Sequence, residues 1–188
     1  MKLPIIAYGD PILRKKAVDI PKDYPNLSEL IANMFDTMYN ASGVGIAAPQ
    51  IGLSIRLFII DLSDKEEPEL KDFKKVFINA QVLNEDGDKW AFNEGCLSIP
   101  DIREDISRNQ NVTISYFDEN WEQHTETFSG FKARVIQHEY DHIEGKLFTD
   151  KLGPLRRAML KGKLDAISRG AISVDYRMKF PAASKKKR

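Results

Sequence analysis

A chain of 188 residues, 42% hydrophobic and 30% charged, has the composition of one globular domain with a buried core. Basic and acidic residues balance at 28 each, so overall charge gives no reason to expect a nucleic-acid or membrane partner. No apolar run approaches the roughly 18 residues of a membrane span, and "MKLPIIAYGDPILRKK" is not a secretory leader. With Cys96 as the sole cysteine there is no internal disulfide, and a cytoplasmic protein with no membrane partner is the expectation.

In chain order, "NLSELIANMFDTMYNASG" sets Leu27, Leu30, Ile31, Met34, Phe35 and Met38 at helical spacing and ends near Gly43. The Gly-rich "GVGIAAPQIG" that follows is a loop. Residues 55–62, "IRLFIIDL", read as a buried strand, and 63–75 as a charged surface connector. "VFINAQVL" (76–83) is a second strand, "NEDGD" a turn, and 89–100 an extended stretch that breaks at Gly95. "NVTISYF" and "WEQHTETF" flank "DEN" as a hairpin, with Val112, Ile114 and Tyr116 alternating inward. A helix is predicted from Phe131 to Glu144, ended by Gly145, and another from Pro154 to just before Gly170. Residues 171–180 are a late strand. The expected class is α+β: mixed or antiparallel strands packed around a central helix, with one helix N-terminal and one C-terminal to it. Residues 1–180 form one domain, and 181–188, "PAASKKKR", a basic disordered tail.

The central helix carries "VIQHEYDHIEGKLF". Residues four apart share a helix face, so His138 and His142 can point at one ion. Glu139, one step round, lies beside that ion and can take a proton from a water on it. Phe131, Val135 and Ile143 supply an apolar wall that keeps such a site dry. Asp141 and Glu144 read as solvated charges, or as acceptors for the N–H groups of the histidine rings. A catalytic site of this type needs a third protein ligand. His124 lies in a polar hairpin strand without a motif, no histidine follows His142, and the downstream acids Glu144, Asp150, Asp165 and Asp175 have no recognisable context; upstream, Cys96 in "EGCLS" is a soft candidate.

Three stretches, "GVGIAAPQ" (43–50), "EGCLS" (94–98) and "QHEYDH" (137–142), together resemble the signature motifs of the peptide deformylase family, and the likeness extends to "YGDPILR". The resemblance implies that Cys96, His138 and His142 hold one divalent metal ion, Fe²⁺ in the usual case, with Zn²⁺, Ni²⁺ or Co²⁺ able to take its place. It implies removal of the formyl group from N-formylmethionyl nascent peptides. Metal-bound water attacks the formyl carbon with Glu139 as general base, and Glu139 then protonates the leaving nitrogen. The side-chain amide of Gln50 and the backbone N–H of Leu97 stabilise the oxyanion. Gly43 and Gly45 let the backbone approach the substrate.

By the same resemblance the peptide binds as an added strand, with its methionine in an apolar pocket. Val44, Phe92, Phe131 and Val135 are candidate walls, with the stem of Arg134 nearby, Gly45 lines the substrate path, and Arg103 contacts the substrate backbone. Glu94 and Arg108 fall where the family has an ion pair behind the cysteine loop. In some members the C-terminal helix docks on the ribosome; that region differs here, and the ribosome is a secondary expectation. Two other readings fit the helix motif alone: a zinc endopeptidase of the H-E-x-x-H type, and a ribosome- or RNA-binding module with a relic metal site.

Overall fold

Residues 1–181 are described by a computed structural model. In chain order the elements are β1 (Ile5–Ile6), α1 (Leu27–Asn40), β2 (Gly45–Ala47), β3 (Leu57–Asp61), β4 (Lys74–Cys96), β5 (Ile99–Phe117), β6 (Gln123–Ser129), α2 (Gly130–Ile143), α3 (Pro154–Ser168) and β7 (Met178–Lys179). Strands β2 to β6 form one antiparallel sheet in that order, and β1 pairs in parallel with β7. The expected α+β class holds, with α2 at the centre.

The sheet is covered on both faces where β3 crosses it. Phe58 and Ile60 point into a core shared with Val135, Ile136 and Ile143 of α2. Leu57 and Ile59 point the other way, against Ile31, Met34, Phe35 and Met38 of α1. Burial on both faces is why β3 reads as an unbroken apolar run. The α1 stripe is thus core: Met34 and Met38 have no exposed surface, and burying each contributes about 1.5–3 kcal/mol. Gly145 sits at φ 70° just past α2, where a Cβ would meet the Arg14 carbonyl oxygen at 2.6 Å. Gly170 at φ 71° closes α3, and Pro154 opens it, as the spacing requires.

Four expectations are corrected. "NEDGD" is no turn: β4 runs through it, and the glycine becomes a bulge between Asp86 and Lys89, with Gly87 at φ 78°. Asn84 and Asn111 both donate to the Asp86 carboxylate, so the residues that make a good turn here stabilise a bulge instead. The strand also does not stop at Gly95; it reaches Cys96, with an irregularity between Glu94 and Cys96. Of the late strand at 171–180, only Met178–Lys179 pair. The connector at 63–75 is more than surface, since Leu70 and Phe73 bury themselves in the core beside Phe77 and Phe128. Beyond Pro181, the basic tail lies outside the described residues.

Candidate metal centre

The end of β4 carries Cys96, just before the turn into β5, and one face of α2 carries His138 and His142. Their donor atoms all lie within 4.8 Å of one another, and Cys96 Sγ is 3.4 Å from His142 Nε2. Bonds of about 2.3 Å to sulfur and 2.1 Å to nitrogen put two donors of one tetrahedral ion roughly 3.6 Å apart, so the spacing fits a shared cation. A thiolate with two imidazoles suits a borderline divalent metal.

The electrostatics agree. Burial, then the charges of His138 and Arg108, hold His142 well below the ordinary imidazole range, in the neutral form that ligates. Its Nδ1 has no partner among the described residues. Burial alone would lower His138, but hydrogen bonds with Cys96 and Glu94 push it up to about 10. The negative groups that retain a proton there are the ones that favour a cation.

Behind His138 stands a buried ion network. His138 Nδ1 is 3.0 Å from Glu94 Oε2, which turns Nε2 towards Cys96 and His142. Glu94 also accepts from Arg108 Nε at 2.7 Å, Arg108 Nη2 at 3.0 Å and Arg134 Nη1 at 2.8 Å. Arg108 Nη1 continues to Asp141 at 2.7 Å, tying β5 to α2. Burial pushes the Glu94 carboxyl up, yet His138 and Arg108 outweigh it and hold the group well below the usual carboxylate range.

Glu139 is 4% exposed, and its Oε2 has no partner among the described residues. Burial pushes its pKa up to about 7, against the opposing charges of His138 and Arg108. A buried carboxylate with a free oxygen beside three candidate ligands is equipped to exchange protons near neutrality. Gln50 comes from the turn Ala48–Ile51: its Oε1 accepts from the Ala47 N–H at 2.8 Å. That anchor directs Nε2 to within 3.5 Å of Cys96 Sγ and 3.3 Å of Ser98 Oγ. Leu97 follows Cys96 in the turn, half-buried.

All of this opens on a cavity of about 730 Å³. Val44, Gly45, Gln50, Phe92, Leu97, Arg103, Phe131, Val135, Cys96, His138 and Glu139 line it, while His142 is buried behind. Phe92 and Phe131 approach to 5.3 Å between ring centroids, and Val135 belongs also to the main core. Arg103 is held at the rim by Asn93, its Nη2 2.6 Å from the Asn93 carbonyl oxygen.

The profile of the polypeptide deformylase family matches residues 2–158. The chain belongs to this family. It is 61% identical to the peptide deformylase of Christiangramia forsetii, over 98% of this chain and 99% of that one. With the peptide deformylase of Flavobacterium psychrophilum it shares 58% identity, over 96% and 97%. Among solved structures it resembles a peptide deformylase from Legionella pneumophila, with TM-score 0.79 and 40% identity over 91% of this chain and 98% of that one. It also resembles an Arabidopsis thaliana peptide deformylase 1B bound to an inhibitor, with TM-score 0.80 and 32% identity over 93% and 98%. Deformylases are metal-dependent hydrolases that remove N-formyl groups from nascent peptides, and this chain is one of that class. The endopeptidase and RNA-module readings find no support in these likenesses.

Within the deformylase frame several sequence expectations change. Gly45 lines the cavity and also seats the glutamate: a Cβ there would lie 2.6 Å from Glu139 Oε1, so the bare backbone makes room for that side chain. Gly43 does the same for Leu97, whose Cδ1 would be 2.8 Å from a Cβ. Asp141 and Glu144 are not solvated charges. The first is buried against Arg108, and the second takes Arg56 Nη1 at 2.6 Å and Lys16 Nζ at 3.1 Å. Ile143 packs in the core and lines no part of the cavity. His124 is an ordinary sheet histidine 2.9 Å from Asp118. Two features escaped the sequence reading. Glu94 is the acceptor that orients His138, and Ser173, Val174, Asp175 and Tyr176 form part of the cavity wall. The second had a signal in the alternation of Ile172, Val174, Tyr176, Met178 and Phe180.

Proposed function

We propose that Cys96, His138 and His142 bind one divalent ion and that Glu139 is the general base for hydrolysis of the N-formyl group. One observation carries this reading: three donors within 4.8 Å of each other, two of them lining the cavity, beside a buried carboxylate whose free oxygen faces no other partner among the described residues. When bound, such an ion lowers the pKa of a water and polarises the formyl oxygen. Glu139 Oε2 accepts a proton from the attacking water as its oxygen bonds to the formyl carbon. The carbon–nitrogen bond then breaks, and Glu139 returns the proton to the leaving nitrogen, giving formate and a free amine. The Gln50 Nε2 and the Leu97 N–H donate to the formyl oxygen as it gains charge. Support for the Leu97 role is that its N–H has no hydrogen-bond partner among the described residues.

Val44, Phe92, Phe131 and Val135 form the pocket for the methionine side chain, Gly45 borders the same path, and Arg103 meets the peptide backbone at the rim. We assign Fe²⁺ as the working ion by family, with Zn²⁺, Ni²⁺ and Co²⁺ compatible with the same donors. Residues 1–180 act as one catalytic domain, working in the cytoplasm on chains emerging from the ribosome. For ribosome contact the exposed side of α3, with Leu155 and Met159, is the surface offered. No helix among the described residues is long and apolar enough to cross a membrane.

Cobalt substitution tests the ligand set. The Co²⁺ form should show thiolate-to-metal absorption that Cys96→Ser abolishes; an unchanged spectrum in the variant removes Cys96 from the ligands.

A further inference from the structure

After α3 the chain returns across the molecule in extended form, with Ile172, Val174, Tyr176, Met178 and Phe180 turned inward between exposed neighbours. It is fixed along its length. The Ile5 N–H donates to the Arg177 carbonyl at 2.8 Å and the Ala7 N–H to the Lys179 carbonyl at 2.9 Å. The Phe180 ring packs over Gly170, within 3.2 Å of where a Cβ would stand. Residues flanking the two partners of this parallel pair then reach two adjacent residues. The Tyr8 N–H donates to the Ser98 carbonyl at 2.9 Å, and the Tyr176 hydroxyl donates to the Leu97 carbonyl at 2.8 Å.

Leu97 and Ser98 are the turn that joins β4 to β5, directly after the ligand Cys96. Its own hairpin supports it weakly, for two reasons. Neither turn residue has positive φ, so the turn is not one of the primed types that match the twist of paired strands. The ladder below it has the rung Cys96 to Ile99 and then jumps to Glu94 and Glu104, with Asp101 at φ 61° in the looped-out segment. Within the hairpin a single rung therefore holds a turn that directly follows Cys96 and carries the oxyanion donor. The missing restraint comes from outside the hairpin, as one hydrogen bond on each turn carbonyl. Burial, then the charges of Cys96 and Asp101, push the Tyr176 pKa up, so its hydroxyl remains a donor across the working range.

We propose that the β1–β7 pair braces the catalytic turn and that Tyr176 is a positioning residue, its hydroxyl holding the Leu97 carbonyl so that the Leu97 N–H stays aimed at the formyl oxygen. This rests on the oxyanion role given to Leu97 above. Tyr176 also belongs to the cavity wall, so aim and lining have to be separated by kinetics.

The test is Tyr176→Phe in the full chain, compared with the parent on a formyl-Met dipeptide and a formyl-Met tetrapeptide, with metal content and Tm measured on the same samples. Loss of one positioning hydrogen bond should lower kcat about three- to tenfold on both peptides. KM should stay within about twofold and metal content should be unchanged. A kcat equal to the parent's overturns the proposal. So does a loss confined to KM of the tetrapeptide, which makes Tyr176 wall only, or a lower Tm with unchanged kcat per bound ion, which makes it structural only. Tyr176→Leu supplies the control: it removes ring and hydroxyl together, and a kcat equal to that of Tyr176→Phe assigns the effect to the hydroxyl, whereas a normal kcat in the phenylalanine variant beside a low one in the leucine variant refutes it. Absence of formate release by the parent is a separate failure, of the underlying reading.

Discussion

Replacing Gly45 with alanine adds one methyl group, and the structure says what it strikes. The three nearest atoms all belong to Glu139: Oε1 at 2.6 Å, Cδ at 2.9 Å and Cγ at 2.9 Å. Gly45 is not among the glycines with positive φ, so the alanine backbone itself is unstrained and the effect passes through Glu139 alone. Opening the shortest contact to an ordinary separation of about 3.4 Å shifts the carboxylate by roughly 0.8 Å. A misplacement of about 1 Å in a reacting group costs on the order of 100-fold in rate, so kcat for formate release should fall about 30- to 100-fold. Overpacking should also lower stability by about 1–3 kcal/mol. Metal content should stay at the parent level, because Cys96, His138 and His142 are not touched. Gly43→Ala is the matched control: its methyl meets the Cδ1 end of Leu97, which can turn aside, and its kcat should fall far less. A Gly45→Ala enzyme within threefold of the parent kcat would refute the claim that this glycine exists to seat the base.

Glu139→Gln keeps the shape but cannot carry the proton, so formate release should drop at least about 100-fold with metal retained, measured by kinetics and metal analysis together. Glu94→Gln leaves Arg108 and Arg134 short of their shared carboxylate in a buried site, and chemical denaturation should show a loss of about 3–5 kcal/mol. Metal affinity of the same variant should weaken about 10- to 100-fold because His138 loses its orienting acceptor. Glu144 supplies a pH test away from the centre. Burial opposes its ionisation, but Arg56 and Lys16 draw its pKa below the ordinary value. A depressed carboxylate stabilises the fold above its unfolded pKa of roughly 4.3, and the gain is lost as pH falls through the folded value. Glu144→Gln should therefore flatten the acid limb of Tm against pH and lower Tm near pH 7; an unchanged acid limb would show that this pair does not contribute.

What could be read from sequence was local. The four-residue spacing of His138 and His142, the helix-closing Gly145 and Gly170, and Pro154 at a helix start follow from backbone geometry within a few turns. Strand extent was not legible, because Asn84, Asp86 and Gly87 serve a bulge as readily as a hairpin turn, and only the register with β5 decides between them. The role of Glu94 as partner to His138 was hidden by a sequence separation of 44 residues. Gly45 was legible as a place of close approach, but the contact with Glu139 was not, because glycine content does not say which group comes close. The return of residues 171–181 to the cavity depends on pairing with β1 at the opposite end of the chain, which alternation alone does not announce.

The most direct test of the account is formate release from a formyl-Met peptide by anaerobically prepared protein, with metal analysis of the same sample. The account predicts equal yields of formate and free amine, about one divalent ion per chain, and loss of activity when a chelator strips that ion. One bound ion with no formate released, or formate release that persists after the ion is removed, would contradict it.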